Sequence, residues 1–327
     1  MKDKRNKLAL KRLNSAKKYL ENAKEELKKS PRGRRNGGIY EDAMFVLSTS
    51  MKHKKIKFIR YPGGKQRILN YIIPFLPPRQ SIIGKFIEPF VGSGAVFFAI
   101  NPKRALLADI NPELIDLYRG IKYYPLKVWE IYNSFPTTKK AYYQIRDMNI
   151  SEMSLAFRAA RTLYLNRTCF KGMWRHNSDG RFNVGYGGQD RRWVINQETL
   201  KEVSNRLKHA TLKCCDFEEV IDESKIGDFI FADPPYRPGE RELIHSHYAY
   251  GKFSFSEYQR LAKALKKASE RGVKWALTIS SHPDILDLFY GNYIIPIPKG
   301  ASGKPGILTD KSCEVLICNY NYKEVLK

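Results

Sequence analysis

Short apolar runs, each followed by a polar or glycine-rich turn, recur along the chain and predict buried strands of an open α/β sheet. One run ends at Glu88 and leads into a turn that contains Gly92 and Gly94. Two others, at residues 105–109 and 228–233, each end in an aspartate. The pattern predicts an α/β fold whose ligand binds at the carboxyl ends of the strands.

Helical periodicity occurs in two places. After Ser256, which is a suitable helix N-cap, the residues predicted for the core share one helix face: Tyr258, Leu261, Ala262 and Leu265. Within residues 1–50, the segment from Asn6 to Lys29 predicts a basic helical extension. Its apolar stripe consists of Ala9, Leu13, Ala16, Leu20, Ala23 and Leu27.

Basic residues outnumber acidic ones by 58 to 33 in the 327 residues, a net charge of +25. This charge predicts a polyanionic partner, either nucleic acid or an acidic membrane surface. Residues 1–57 hold 18 of the basic and 6 of the acidic residues. Three interpretations of the extension stay open: a solvated tail, an arm that binds nucleic acid, or a short coiled-coil contact. Its stripe lacks Trp and Phe, which disfavours binding to a membrane surface.

Other features of the sequence indicate the cellular compartment. No uncharged apolar run reaches the length of a membrane-spanning helix, and the N-terminus lacks the apolar segment of a secretory signal. Five cysteines occur without a Cys-x-x-Cys pair, so neither a disulfide framework nor a zinc cluster is predicted. A reducing cytoplasm fits best.

The turn with Gly92 and Gly94 has the composition of a ligand-binding loop. Glycines here let the backbone approach a bound molecule closely, and Asp109 ends the next strand, where an acid typically binds ribose hydroxyls. Phe97 stands where a dinucleotide-binding motif has its third glycine, which favours a nucleoside without a pyrophosphate. An ordinary tight turn is the open alternative.

A strand that ends in Asp-Pro-Pro-Tyr, residues 233–236, is the strongest chemical signal. Proline fixes its own φ and restricts the residue before it, so the Asp233 carboxylate and nearby carbonyls are held rigidly at the strand end. A carboxylate and a carbonyl can both accept hydrogen bonds from an exocyclic amine, and the Tyr236 ring can stack on a flat base. A rigid exit from the strand is the alternative.

Four blocks, taken in order, resemble the Dam-like, alpha-group DNA adenine methyltransferases over roughly residues 56–322. They are residues 58–65, residues 88–94 with 109–111, residues 164–184, and residues 233–236. The late apolar run from Glu314 is also similar to the family's C-terminal end.

The resemblance implies a Rossmann-like, seven-stranded methyltransferase sheet with an inserted, mainly helical target-recognition domain that carries a β-hairpin. Residues 51–119 and 206–327 would form the catalytic domain, and residues 120–205 would form the recognition domain.

The same resemblance implies S-adenosyl-L-methionine as the cofactor and no metal. Its binding residues would be Tyr61, Lys65, Glu88, Phe90, Gly92, Gly94, Asp109, Asp216 and Asp233. Asp216 would lie near the cofactor adenine, and a helix N-cap is its alternative role. Asp233, Pro234 and Tyr236 would be catalytic.

Basic and aromatic residues interleave across residues 158–192, which suits contact with a nucleic-acid backbone and groove. The turn sequence at residues 177–181 predicts a hairpin with Arg175 and Arg181 on its two arms. Phosphate contact or a solvated surface is the alternative for either arginine. By resemblance, Arg175 would contact a base. The full set of DNA-binding residues would be Asn166, Arg167, Lys171, Arg175, Asn177 and Arg181.

Residues 237–253 follow the Asp-Pro-Pro-Tyr block and predict a loop that closes over the target base. The pair His245 and His247 within it has no third metal ligand at ordinary spacing.

The implied function is site-specific transfer of a methyl group to the N6 amine of a flipped-out adenine in double-stranded DNA. Methylation of a cytosine amine or of RNA, and an inactive DNA-binding relative, are the alternatives. The Pro-Cys pair expected for methylation of a cytosine ring carbon is absent. A GATC-like site, a cognate restriction endonuclease and a prokaryotic or phage cytoplasm are further expectations, and the oligomeric state is left open.

Overall fold

The computed structural model describes residues 56–177, 180–188, 194–235, 253–297, 300–301, 308–309 and 314–325. The predicted N-terminal helix, Tyr236 and the His245–His247 pair lie outside these residues. None of the described helices is both long and apolar enough to cross a membrane.

A seven-stranded sheet forms the centre of the molecule, in the order β3-β2-β1-β4-β5-β9-β6. Strands β1 to β5 pair in parallel, and β9 runs antiparallel to both β5 and β6. Two short strands, β7 and β8, pair separately. The bounds are β1 Phe86–Glu88, β2 Ala105–Asp109, β3 Ala210–Cys214, β4 Phe229–Ala232, β5 Lys274–Ser280, β6 Tyr293–Pro296, β7 Gly300–Ala301, β8 Leu308–Thr309 and β9 Glu314–Cys318.

Helices cover both faces of this sheet. They are α1 Leu69–Ile72, α2 Ala95–Ile100, α3 Pro112–Tyr123, α4 Pro125–Ser134, α5 Lys139–Asp147, α6 Leu155–Thr168, α7 Gln197–Leu207, α8 Phe217–Asp222, α9 Phe255–Glu270 and α10 Pro283–Asp287. Single 3-10 turns occur at Lys65–Arg67, Ile73–Phe75, Arg79–Ser81, Phe170–Gly172 and Tyr322–Glu324.

Alternate residues of each central strand pack into two separate cores. In β1, Ile87 belongs to a cluster with Val220 of α8 and Leu261 of α9. Its neighbour Phe86 points to the opposite face and packs with Phe97 of α2. Successive side chains of a strand point to opposite faces of the sheet, so both faces are buried. The fold therefore has three layers, with helices on each side of the sheet. The predicted α/β class with a seven-stranded sheet is confirmed.

The strands predicted from the runs that end at Glu88, Asp109 and Asp233 are present, and they span residues 86–88, 105–109 and 229–232. The predicted N-cap at Ser256 is wrong, because α9 begins earlier. The Ser254 carbonyl already accepts from the backbone N–H groups of Glu257 and Tyr258, at 3.0 and 3.2 Å, so Ser254 is the N-cap. Ala262 is half-buried, whereas the other predicted core residues of this helix are buried.

The chain between β2 and β3 is mainly helical and shares the core of one sheet face. The predicted domain boundaries at 119/120 and 205/206 fall inside α3 and α7. Division into a catalytic and a recognition domain therefore stays a prediction. Helices α3 and α6 pack against each other at Gly120, where an added Cβ would overlap the Ala159 Cβ.

Gly120→Ala should destabilise the fold by about 1–3 kcal/mol, the usual cost of overpacking a core. The clash opposes the ~1 kcal/mol by which alanine is intrinsically better than glycine in a helix. Urea unfolding followed by circular dichroism would show a lower midpoint. Ala159→Gly in the same chain removes the clashing methyl and should recover part of the loss. Wild-type stability of Gly120→Ala alone would contradict this close packing.

Candidate active site

The loop after β1 depends on two glycines. Gly92 and Gly94 have positive φ angles of 45° and 63°, a backbone region that L side chains rarely adopt. A Cβ on Gly92 would lie 3.1 Å from the Tyr61 ring, and one on Gly94 would lie 2.9 Å from the Tyr118 hydroxyl. Tyr118 of α3 also donates to the Gly92 carbonyl at 2.9 Å. Aromatic side chains thus hold a loop that only glycine fits at the carboxyl edge of the sheet.

Asp109 ends the adjacent strand β2 and holds the same loop from the other side. Its carboxylate accepts from the backbone N–H groups of Gly92 and Asn111, both at 3.1 Å. Burial raises the pKa of Asp109 to about 6, and these N–H groups partly oppose the increase. The side chain is therefore a buried acceptor that titrates close to neutral pH.

Glu88 lies at the end of β1 and is buried. Its Oε2 atom has no hydrogen-bond partner within the described part of the chain. Burial, with the nearby charges of Asp233 and Asp109, raises the pKa of Glu88 well above its usual range. A buried carboxyl oxygen without a partner is costly, so the atom is suited to a bound polar group.

Asp233, directly after β4, is held by two side chains. The Lys65 Nζ atom lies 2.6 Å from Asp233 Oδ1, and the Thr278 hydroxyl donates to that same oxygen at 2.7 Å. The lysine is 3% exposed and the aspartate 19%, so the pair is mostly buried but open on one side. Burial raises the pKa of Asp233, while the Lys65 charge and both hydrogen bonds oppose that increase.

The residues after Asp233 are also fixed. Pro234 is buried, and the Pro235 carbonyl accepts from the Tyr258 hydroxyl of α9 at 2.8 Å. Tyr258 in turn packs edge-on against Phe253, with ring centroids 4.8 Å apart. The described part of the Asp-Pro-Pro-Tyr block is therefore anchored to α9 immediately before Tyr236.

Three aromatic rings pack together beside the carboxyl ends of β1 and β3. The Phe90 ring lies 5.3 Å from Phe217 and 5.8 Å from Phe253. Beside them, Asp216 occupies the N-cap of α8 and accepts from the Glu218 N–H at 2.9 Å and from Arg260 at 2.7 Å. Asp216 therefore has the N-cap position that the sequence offered as its alternative role. A role in cofactor binding stays a prediction.

The predicted hairpin is present. His176 and Phe182 form an antiparallel bridge, and backbone bonds join Asn177 to Arg181 and Arg175 to Asn183 at 2.9 and 3.1 Å. Arg175 and Arg181 are exposed on the two arms. The Asn183 side chain accepts from Arg175 Nε at 2.8 Å. Both arginines thus lie on the solvent-facing side of the hairpin, and Asn177 lies between them along the chain.

Lys171 is exposed beside this hairpin, in a left-handed backbone conformation with φ 55°. Its Nζ atom lies 5.1 Å from the centre of the exposed Phe170 ring. A cation beside an exposed aromatic ring suits nucleic-acid contact.

Asn166 and Arg167 do not occupy the positions predicted for direct DNA contact. Asn166 is 1% exposed, and its amide exchanges two hydrogen bonds with the Arg60 backbone, at 2.8 and 2.7 Å. Arg167 is also buried and donates to the carbonyls of Phe58 and Lys57 at 3.1 and 3.2 Å. Because both side chains face inward, they hold the segment before Tyr61 in place.

The Tyr61 ring connects the hairpin with the glycine loop. It lies 5.4 Å from the ring of Trp174 and contacts the position where Gly92 lacks a side chain. Neither Trp174 nor Tyr118 was predicted as a site residue, since each is an aromatic residue among other apolar ones. Thr278 was also missed, although a threonine inside the apolar strand β5 is a detectable signal, because a buried hydroxyl needs a partner.

Comparison with known proteins shows which family the chain belongs to. The family model of D12 class N6 adenine-specific DNA methyltransferases matches residues 61–299. A type II methyltransferase of Lactococcus lactis subsp. cremoris is 33% identical over 272 residues, which cover 80% of this chain and 95% of the relative. A type II methyltransferase of Methanocaldococcus jannaschii is 32% identical over 289 residues, with coverage of 80% and 98%.

A DNA adenine methylase of Haemophilus influenzae is 32% identical over 241 residues, which cover 72% of this chain and 82% of that protein. The family match spans the glycine loop, the hairpin and the Asp-Pro-Pro-Tyr block. The chain belongs to the D12 class of N6 adenine-specific DNA methyltransferases.

Proposed function

We propose that this adenine-specific DNA methyltransferase takes its methyl group from S-adenosyl-L-methionine and acts on double-stranded DNA at a pocket centred on Asp233. The observation that carries the proposal is the position of Asp233 at the carboxyl end of β4, held by Lys65 and Thr278. The glycine loop and Asp109 end the neighbouring strands β1 and β2. Ligands of open α/β sheets bind along this edge.

The residues along the edge fit the proposed cofactor. The side-chain-free surfaces of Gly92 and Gly94 allow close approach, and Asp109 offers an ionisable acceptor for ribose hydroxyls. Glu88 has a buried oxygen without a partner in the described chain. S-Adenosyl-L-methionine, when bound, supplies a methyl group on a positively charged sulfur. The residues proposed to hold it are Tyr61, Lys65, Glu88, Phe90, Gly92, Gly94, Asp109, Asp216 and Asp233.

In the proposed reaction, the target adenine leaves the duplex and enters the pocket, because a stacked base cannot reach the donor. The Asp233 carboxylate and the Pro234 carbonyl each accept a hydrogen bond from one N–H of the amine. These two bonds orient the nitrogen lone pair. Tyr236 stacks on the base. Transfer of the methyl group to the amine nitrogen would release one proton from that nitrogen, and the hydrogen-bonded Asp233 carboxylate is positioned to take it up. Rigid positioning supplies most of the acceleration.

The hairpin and its flank are proposed to bind the DNA around the target. Arg175, Asn177, Arg181 and Lys171 reach solvent there. Asn166 and Arg167 act indirectly, by holding the chain that leads to Tyr61 and Lys65.

We also propose a cytoplasmic setting, prokaryotic or phage. Two relatives are named type II methyltransferases, which supports a cognate restriction endonuclease as a partner.

Transfer of labelled methyl from S-adenosyl-L-methionine to unmethylated duplex DNA tests the function directly. The wild type should place label on adenine N6. Asp233→Ala should lower kcat by about 10²–10³, because a preorganised hydrogen-bonding group is lost from the reacting nitrogen. Asp222→Ala is the matched control, since it removes an exposed acid at the end of α8, and it should keep wild-type activity. Label on cytosine, or on RNA alone, would overturn the proposal.

Thr278→Val should lower kcat about tenfold, since the valine keeps the volume of threonine but cannot donate to Asp233. Thr278→Ser retains the hydroxyl and should stay near wild type. Steady-state assays at saturating DNA and cofactor would measure both. Equal rates for the Val and Ser variants would show that this hydrogen bond does not position Asp233.

Cofactor affinity should fall with decreasing pH because only ionised Asp109 is a full acceptor for ribose hydroxyls. The pKa of Asp109 is raised to about 6, so at pH 5 about one molecule in ten is ionised and Kd should be about tenfold higher than at pH 8. Isothermal titration calorimetry at both pH values would measure this ratio. Asp109→Asn should lose most of the pH dependence, and an unchanged ratio in that variant would exclude Asp109 as its source.

A further inference from the structure

The recognition hairpin, defined here as residues 174–184, has an inner and an outer face. The buried side chains are Trp174, His176, Phe182 and Val184, and they alternate with the exposed or half-exposed Arg175, Asn177, Arg181 and Asn183. This is the period of two expected for paired strands. The inner residues cannot reach DNA, so their polar contacts serve another purpose.

The first arm is attached to helix α3 by a buried polar contact. The His176 side chain is fully buried, and its Nε2 atom lies 2.8 Å from Glu113 Oε2. A carboxylate only accepts, so the imidazole donates. The other Glu113 oxygen lies 3.5 Å from Arg161 of α6, and Arg161 donates to the Ile145 carbonyl at 2.8 Å. Residues of α3, α5 and α6 therefore fix the Glu113 side chain that holds His176.

The second arm is attached to helix α5. The buried Tyr142 hydroxyl donates to the Val184 carbonyl at 2.9 Å. Arg146, one turn later on the same helix, approaches that carbonyl at 3.4 Å. The two arms are therefore anchored to different helices, on either side of the exposed arginines.

Glu113 also lies close to the cofactor edge of the sheet. It is in the first turn of α3, whose N-cap Asn111 donates its backbone N–H to Asp109 at 3.1 Å. The contact with His176 thus ties the hairpin to the rigid edge of the sheet where the proposed reaction occurs.

We propose that His176 and Tyr142 are positioning residues for DNA recognition, which fix the recognition hairpin so that Arg175 and Arg181 meet the duplex in one orientation. The inference rests on the proposed DNA-binding role of this hairpin. Without the two buried contacts, the hairpin must be ordered during binding, and that ordering weakens affinity for DNA. The glycine loop and Asp109, by contrast, are held together by the Tyr118 hydroxyl and by backbone N–H groups outside the hairpin. Loss of either contact should therefore weaken the binding of DNA and leave the binding of the cofactor nearly unchanged.

The test compares variants that remove one buried hydrogen bond each. Tyr142→Phe deletes a single oxygen, and its matched control is Tyr320→Phe, which deletes an equivalent 2.9 Å bond from a buried tyrosine to the Phe75 carbonyl. His176→Leu removes the contact with Glu113, whereas His176→Gln retains a donor near the Nε2 position. The DNA probe is a duplex carrying the sequence that the wild type methylates, mapped beforehand by sequencing of methylated DNA.

Fluorescence anisotropy should show Kd for this duplex raised roughly three- to tenfold by Tyr142→Phe and His176→Leu, the effect of one net hydrogen bond. His176→Gln should recover most of the affinity, and Tyr320→Phe should leave it unchanged. Kd for S-adenosyl-L-methionine should change less than about twofold in all four variants. Thermal unfolding in each case shows that the variant is folded at the assay temperature.

Two results would overturn the inference. One is wild-type DNA affinity in both Tyr142→Phe and His176→Leu. The other is an equal loss in Tyr320→Phe, which would show a general effect of stability. A wild-type protein that binds no duplex would refute the proposed function itself, so the two failures are distinguishable.

Discussion

The contact between Lys65 and Asp233 is the constraint on which the site depends. A carboxylate in a mostly buried position is unfavourable unless a charge or hydrogen bonds stabilise it. Here the lysine comes from the segment before α1, the threonine from β5 and the aspartate from the end of β4. Three distant parts of the chain must therefore be in place before the acceptor is formed. This requirement explains why Asn166 and Arg167, buried in α6, hold the backbone of residues 57–60.

Three acids lie at the carboxyl edge of the sheet, and different neighbouring groups act on the pKa of each. Burial raises the pKa of Glu88, Asp109 and Asp233, but different groups oppose the rise in each case. Asp109 faces backbone N–H groups, whereas Asp233 faces a lysine. For Glu88 a backbone hydrogen bond at Phe97 opposes the rise, whereas the charges of the other two acids add to it. Acids in such different surroundings can take different roles within one pocket.

Much of this architecture could be predicted from the sequence, because strong local rules specify it. The strands that end at Asp109 and Asp233 are continuous apolar runs, and the hairpin follows from the turn sequence at residues 177–181. The burial of Asn166 and Arg167 could not be predicted, since a polar residue in a helix does not reveal whether it faces solvent or a distant backbone. The contact of His176 with Glu113 joins residues 63 positions apart, and no local pattern encodes it.

The central claim is that the Lys65 charge opposes the rise that burial causes in the pKa of Asp233, and so favours the ionised acceptor in the pocket. Difference infrared spectroscopy of the carboxyl group, assigned with Asp233→Asn, measures that ionisation across a pH titration. In Lys65→Met the positive charge is lost while burial remains, so the account predicts that Asp233 titrates at a higher pH than in the wild type. An unchanged titration of Asp233 in Lys65→Met would contradict it.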